Sequence, residues 1–180
     1  VEKGLSPPCG PPARPEAVVT APVSRTRDVL GLMAFLVLCF GVLLLGTRAT
    51  PSALTEWYPA LRKPSWTPPG WVFGPVWTLL YPLMAVAGWM AWREGRARVG
   101  PLVYLLQLAL NAAWPWFFFG LRRLDLAFAC VVALWIGILA TVVAFWRASR
   151  TAAILMLPYL GWVAFAAVLN HAIWRLNTLS

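Results

Sequence analysis

The sequence predicts an all-α integral membrane protein built as a bundle of five transmembrane helices. Three observations lead there. Hydrophobic residues make up 61% of the 180-residue chain and charged residues only 12%, whereas soluble domains are nearer ~45–50% apolar and ~25% charged. Five apolar runs of about 19–23 residues follow one another, the length that crosses ~30 Å of hydrocarbon at ~1.5 Å per residue. No acid or base lies in the middle of any run. Backbone polar groups inside lipid must be satisfied within the segment, which selects helix, and the runs lack the alternation of a transmembrane barrel strand.

Residues 1–27 carry Pro7, Pro8, Pro11, Pro12, Pro15 and Pro22 with few large apolar side chains. This composition predicts a disordered or extended tail, and residues 28–180 form the transmembrane domain. The tail also lacks the apolar stretch of a cleavable signal. The predicted spans are Val29–Thr47, Trp71–Trp92, Pro101–Phe119, Leu126–Trp146 and Ala152–Trp174. The connection Arg48–Gly70 is the longest and holds Pro51, Pro59, Pro64, Pro68 and Pro69, while the other three are short and carry arginine. Pro75, Pro82, Pro115 and Pro158 fall in or near spans, where a missing N–H kinks a helix and opens gaps beside it.

The net charge of +9 raises nucleic acid as a partner, but the basic residues sit in connections between spans and form no stripe, so they face lipid head groups instead. Seven basic residues lie near spans on one side and six on the other, so charge sets no orientation. Many of the twelve tryptophans, among them Trp71, Trp89, Trp92, Trp116 and Trp146, mark span ends, as interfacial aromatic belts do. Cys9, Cys39 and Cys130 have no metal-ligand spacing, and one histidine serves the whole chain, so no structural metal site is expected.

The chemistry left inside the spans is neutral and aromatic. Tyr104, Gln107, Asn111 and Trp114 share one helical face, Tyr159, Trp162, Ala166, Asn170 and Trp174 share another, and Trp77 and Tyr81 are four apart. Such faces supply interhelical hydrogen bonds, or they line a cavity for a large, flat, mostly apolar ligand. Both readings stay open at this level. Without an intramembrane acid or base, ion-coupled transport is disfavoured. His171 is a candidate haem ligand or a polar residue reaching the interface. Ala129, Ala133, Gly137 and Thr141 repeat every four residues, which suits close packing inside the bundle or a homodimer seam.

The stretch Trp57-Tyr58-Pro59-Ala60-Leu61-Arg62-Lys63-Pro64-Ser65-Trp66-Thr67-Pro68-Pro69-Gly70-Trp71-Val72-Phe73-Gly74-Pro75-Val76-Trp77 through Tyr81 resembles the signature of the TspO/MBR family, the tryptophan-rich sensory and translocator proteins. Gln107-Leu108-Ala109-Leu110-Asn111 with Trp114 agrees, as does Pro158-Tyr159-Leu160-Gly161-Trp162 with Ala166 and Asn170. The likeness runs from about residue 29 to the C-terminus.

The resemblance implies a five-helix bundle, commonly a homodimer, that binds porphyrins such as protoporphyrin IX, haem, sterols and isoquinoline-type ligands without a required cofactor. It places Phe73, Gly74, Trp77, Tyr81, Asn111, Trp114, Trp162, Ala166 and Leu169 on the ligand cavity. Trp57, Lys63, Pro64 and Trp66 would belong to a lid formed by the first connection. Trp77 and Trp162 align with tryptophans linked to light-dependent porphyrin breakdown, which makes them the candidate catalytic residues. The family's proposed cholesterol motif departs here, with His171 where a tyrosine is needed. Three functions follow as expectations: a porphyrin-handling transport or sensory protein, a light- and oxygen-dependent porphyrin-degrading enzyme, and a structural membrane protein without a ligand. The absence of a transit-type leader favours a bacterial cell membrane.

Overall fold

The structure is a computed structural model that describes residues 25–50, 53–94 and 100–178. Five long helices account for most of it: α1 (Arg25–Thr47), α2 (Phe73–Glu94), α3 (Gly100–Pro115), α4 (Leu124–Ala148) and α5 (Arg150–Thr178). A tight turn at Gly70–Val72 leads into α2, and a wide π-type turn at Trp116–Gly120 prolongs α3. All five spans are long and apolar enough to cross a membrane, and the described residues contain no strand.

The helices close a ring whose order is not the chain order. α1 lies against α2 and α3, α5 lies against α2 and α4, and α3 lies against α4. The C-terminal ends of α1, α3 and α5 therefore share one end of the bundle with the first connection.

Helices outrun the predicted spans. α1 begins at Arg25 rather than Val29, so the last residues of the predicted tail are helical; residues 1–24 of that tail lie outside the described residues. The extra turn is anchored from α2. Asp28 pairs with Arg93 at 3.0 Å, the Trp89 indole donates to the Asp28 carbonyl at 3.0 Å, and Arg27 lies 5.3 Å over Trp92. At the other terminus α5 reaches Thr178, one turn beyond Trp174. Hydropathy marks the hydrocarbon, whereas the helix continues into the polar head-group layer.

Prolines fall where a lost N–H is tolerated or used. Pro75 sits in the first turn of α2, where that N–H has no intrahelical partner in any case. Pro82 and Pro158 lie inside α2 and α5, and Pro115 closes α3 where the regular helix gives way to the π-type turn.

Polar side chains sew the ring together. Tyr81 on α2 donates to Asn111 Oδ1 on α3 at 2.6 Å, and Asn111 Nδ2 donates to the Tyr159 hydroxyl on α5 at 2.7 Å. Near the loop end, Trp114 donates to Asn170 Oδ1, and Asn170 Nδ2 donates to the Leu124 carbonyl of α4, both at 3.1 Å. Toward the opposite end, buried Tyr104 donates its one hydroxyl hydrogen to the Met84 carbonyl at 2.9 Å. The Cys39 thiol, 3.2 Å away, must then be the donor to Tyr104, a role that suits a buried thiol.

Close approach at Gly88 makes room for that tyrosine. A Cβ there would stand 2.8 Å from both the Phe35 and Tyr104 rings. The four-residue repeat on α4 divides instead of forming one seam. Gly137 and Thr141 are buried, with Gly137 against Gln107, whereas Ala129 and Ala133 are exposed. Each four-residue step turns ~40° further around the helix, so the stripe winds from the outer face to the inner one.

Gly88→Ala is expected to lower the unfolding midpoint by the equivalent of about 1–3 kcal/mol, the cost of overpacking a filled core. Gly41→Ala, with nothing within 4 Å of the added Cβ, should be neutral in the same thermal or SDS titration. Asn111→Leu strips partners from two buried hydroxyls and should cost about 1–3 kcal/mol by the same measurement.

Candidate functional site

A cavity of about 250 Å³ opens within the ring at the end that carries the first connection. α2 contributes Phe73, Trp77 and Tyr81, successive residues of one helical face. α3 contributes Asn111 and Trp114, and α5 contributes Trp162, Ala166 and Leu169. Eight of the nine residues predicted to line a cavity thus come together from three helices that are not all neighbours in sequence. The ninth, Gly74, does not line it. One residue past Phe73 a helix turns ~100°, so Gly74 faces outward with open space where a Cβ would be, and its carbonyl accepts from the Thr78 hydroxyl at 2.9 Å.

The aromatic walls are mutually braced. The Phe73 and Trp162 rings meet edge-on at 5.7 Å, and Trp162 lies 5.4 Å from Phe165. Trp77 stands 5.5 Å from Tyr81 and 6.2 Å from Tyr159. Such contacts fix ring planes, with each pair worth ~0.5–1.5 kcal/mol beyond buried area. Asn111 and Asn170 both line the cavity. Each bonds through its Oδ1 and through Nδ2 to one acceptor, leaving one amide hydrogen to spare. No carboxylate, imidazole, guanidinium or ammonium lines the cavity among the described residues.

The predicted interior faces divide between glue and wall. Tyr104 and Gln107 lie deeper than the cavity and do not line it. Gln107 is fully buried, and neither of its amide heteroatoms has a hydrogen-bond partner among the described residues. Trp174 packs on Phe128 at 5.8 Å, outside the cavity. His171, the candidate haem ligand, lies away from this cavity: it is exposed, it rests 4.9 Å from the Phe128 ring, and it does not line the cavity. Three residues from Val168, itself 61% exposed, it belongs to the outer face of α5 by helical spacing.

The first connection covers the cavity one layer out. Trp57, Lys63, Pro64 and Trp66 are not wall residues; they hold the segment in place. Trp57 meets Phe118 edge-on at 5.8 Å and Trp66 meets Phe165 at 5.9 Å. The Lys63 ammonium donates to the Tyr58 and Pro59 carbonyls at 2.6 and 3.2 Å and lies 4.6 Å over the Tyr58 ring. The Pro64 carbonyl accepts the Thr67 N–H and hydroxyl at 3.0 and 2.7 Å. The segment's own wall residues are Tyr58, Thr50 and Gly70. Burial pushes the Tyr58 phenol up from its ordinary range, so it stays neutral through physiological pH.

Sequence reasoning also missed Leu43, Gly46 and Thr47 of α1, Phe118 and Phe119 of the π-type turn, and Val131 and Leu134 of α4. α1 is apolar all round and α4 nearly so, which leaves no polar face to single out. The Phe117-Phe118-Phe119 run does signal an aromatic surface, but only the widened turn shows which rings point inward.

These features agree with known proteins. A model of the TspO/MBR family matches residues 34–175. The tryptophan-rich protein TspO of Chlorobaculum tepidum is 39% identical over 156 residues, spanning 84% of this chain and 98% of that protein. The human translocator protein is 42% identical over 137 residues, 73% of this chain and 81% of its own length. The tryptophan-rich sensory protein of Cereibacter sphaeroides is 42% identical over 136 residues, 73% and 85% of the two chains. The chain is an integral membrane protein and belongs to the TspO/MBR family.

Proposed function

We propose that this protein binds a planar, mostly apolar tetrapyrrole, protoporphyrin IX or haem, in the bundle cavity and serves in its transport or sensing. The observation that carries the reading is the wall itself. Indole and phenyl rings from α2, α3 and α5 surround a space with two amides and no charge, which suits a flat ring system with few hydrogen-bonding groups. The rim supplies what the wall lacks. Arg48, Arg62, Lys63, Arg122, Arg123 and Arg175 lie at that end against Glu56 and Asp125, a basic collar suited to the carboxylates of a porphyrin.

The cavity, at about 250 Å³, is smaller than the ~300–1,000 Å³ usual for drug-sized ligands. A four-pyrrole ring therefore needs the first connection to swing aside, or seats with one edge projecting from the open side. A sterol fits the apolar wall as well, but His171, which stands where the proposed cholesterol motif needs a tyrosine, does not line this cavity.

Titration of the purified protein with protoporphyrin IX should quench tryptophan fluorescence saturably. Trp77→Phe combined with Trp162→Phe should remove most of the saturable component, and Ala166→Trp, which fills the cavity, should weaken binding at least tenfold. Absence of saturation in the unmodified protein would rule the reading out. For the uncharged dimethyl ester of the same porphyrin, affinity should be flat between pH 5 and 9. No wall group titrates there, because Tyr58 is raised by burial and so remains protonated.

A second reading is favoured by one observation, that Trp77 and Trp162 occupy the same cavity. In it, oxygen oxidises the bound porphyrin under light, with the two indoles as redox partners. A discrete product in illuminated spectra that disappears in either Trp→Phe variant supports it, and bleaching that is the same in both variants contradicts it.

A further inference from the structure

The first connection is fastened to the bundle by a residue that lies outside every motif discussed above. Asn177, in the last turn of α5, faces Arg62 across 115 positions of sequence. Its Oδ1 accepts the Arg62 N–H at 3.0 Å, and its Nδ2 donates to the Arg62 carbonyl at 2.9 Å. The other Nδ2 hydrogen goes to the Ile173 carbonyl at 2.7 Å, which fixes the rotamer from within its own helix. A side-chain amide thus reads both polar groups of one peptide residue, as a neighbouring strand would.

The position of this clasp matters more than its strength. Ile173, the residue that orients Asn177, lines the cavity. Leu61, next to Arg62, packs with Trp57 and Tyr58 on the cluster formed by Phe118, Leu169 and Ile173. On the far side of Arg62, Lys63 ties the turn back on itself through the Tyr58 and Pro59 carbonyls. The segment 57–63 is therefore stiff within itself. Beyond ring contacts to its neighbours, it is joined to the end of α5 by the two hydrogen bonds of Arg62 to Asn177. A stiff flap fastened in this way to the end of α5 is freed there when the fastening opens.

We infer that Asn177 is the latch of the segment covering the cavity, a positioning residue that sets how fast ligand enters and leaves. Both bonds to Arg62 lie in the exposed, aqueous layer, where each contributes modestly. The latch is thus weak enough to open often and strong enough to hold the closed form in the majority. The part of this inference that concerns ligand rests on the reading given under Proposed function; the part that concerns the segment does not.

The test uses the full chain in lipid nanodiscs with Asn177→Ala and Asn177→Asp. The aspartate keeps an acceptor for the Arg62 N–H and loses both donors. Hydrogen exchange of the peptide spanning 58–66 in the ligand-free protein should speed up about tenfold in Asn177→Ala and less in Asn177→Asp. Exchange in the middle of α2 and α4 should not change. With protoporphyrin IX, association and dissociation rates should rise together by a similar factor while Kd moves less than threefold, because a latch gates both directions. A merely structural loss would raise Kd and speed exchange throughout the bundle, and that result overturns the inference. Unchanged exchange in 58–66 overturns it as well, whether or not porphyrin binds. Faster exchange with unchanged ligand rates removes the gating role. A wild-type protein that binds no porphyrin would refute the tetrapyrrole reading and leave the exchange comparison to decide the latch.

Discussion

A polar side chain inside a bilayer has no water to fall back on, so it must find its partner on another helix, and Asn111 is where this constraint shapes the protein most. Its amide accepts from Tyr81 and donates to Tyr159, tying α2, α3 and α5 at one level. Interhelical bonds of this kind are worth only ~0.6–2 kcal/mol each. Their larger effect is on geometry. Two tyrosines and an asparagine that must meet allow one rotation of each helix, and that rotation turns Phe73, Trp77 and Trp162 toward a common space. Trp114, Asn170 and the Leu124 carbonyl repeat the arrangement near the loop end and bring in α4. The cavity is what remains between two tiers of polar ties that cannot be closed by packing alone.

The same economy explains what the cavity is made of. Hydrogen-bonding capacity is almost consumed by the bundle, so the wall offers ring faces and two spare amide hydrogens. Charge, which would be costly at this depth, is moved to the rim. In the proposed function, shape and flatness select the ligand within the wall, and any ionised groups it carries stay at the collar. Trp77, Trp114 and Trp162 stand in this wall, where interfacial anchoring does not explain them.

Much of this was legible in the sequence, for reasons that differ between levels. Five uncharged runs of spanning length gave the fold, because lipid permits so few alternatives. The polar positions of α2, α3 and α5 stand out against apolar neighbours, so the Tyr81, Asn111 and Trp162 faces are legible in the sequence. Gly74 was misplaced because a motif names consecutive residues while a helix points them in different directions. α1 could not be read in this way, since a uniformly apolar helix shows no face, and Leu43 and Thr47 reach the cavity only through the ring order. Asn177 was invisible for another reason. Its partner is a backbone 115 residues away, and peptide groups carry no sequence signature. His171, the one histidine, drew notice for its chemistry, yet its surroundings are Phe128 and the outer face of α5.

In the proposed function a flat ligand lies against the ring faces of one particular set of tryptophans. Indole N–H resonances of the nitrogen-15-labelled protein test it most directly, since a porphyrin shifts nuclei near its ring current strongly. On addition of protoporphyrin IX the account predicts large shifts for Trp77, Trp114 and Trp162, with Trp89, Trp92 and Trp146 unmoved at the span ends. Shifts confined to those span-end indoles, with the three cavity signals unchanged, would contradict it.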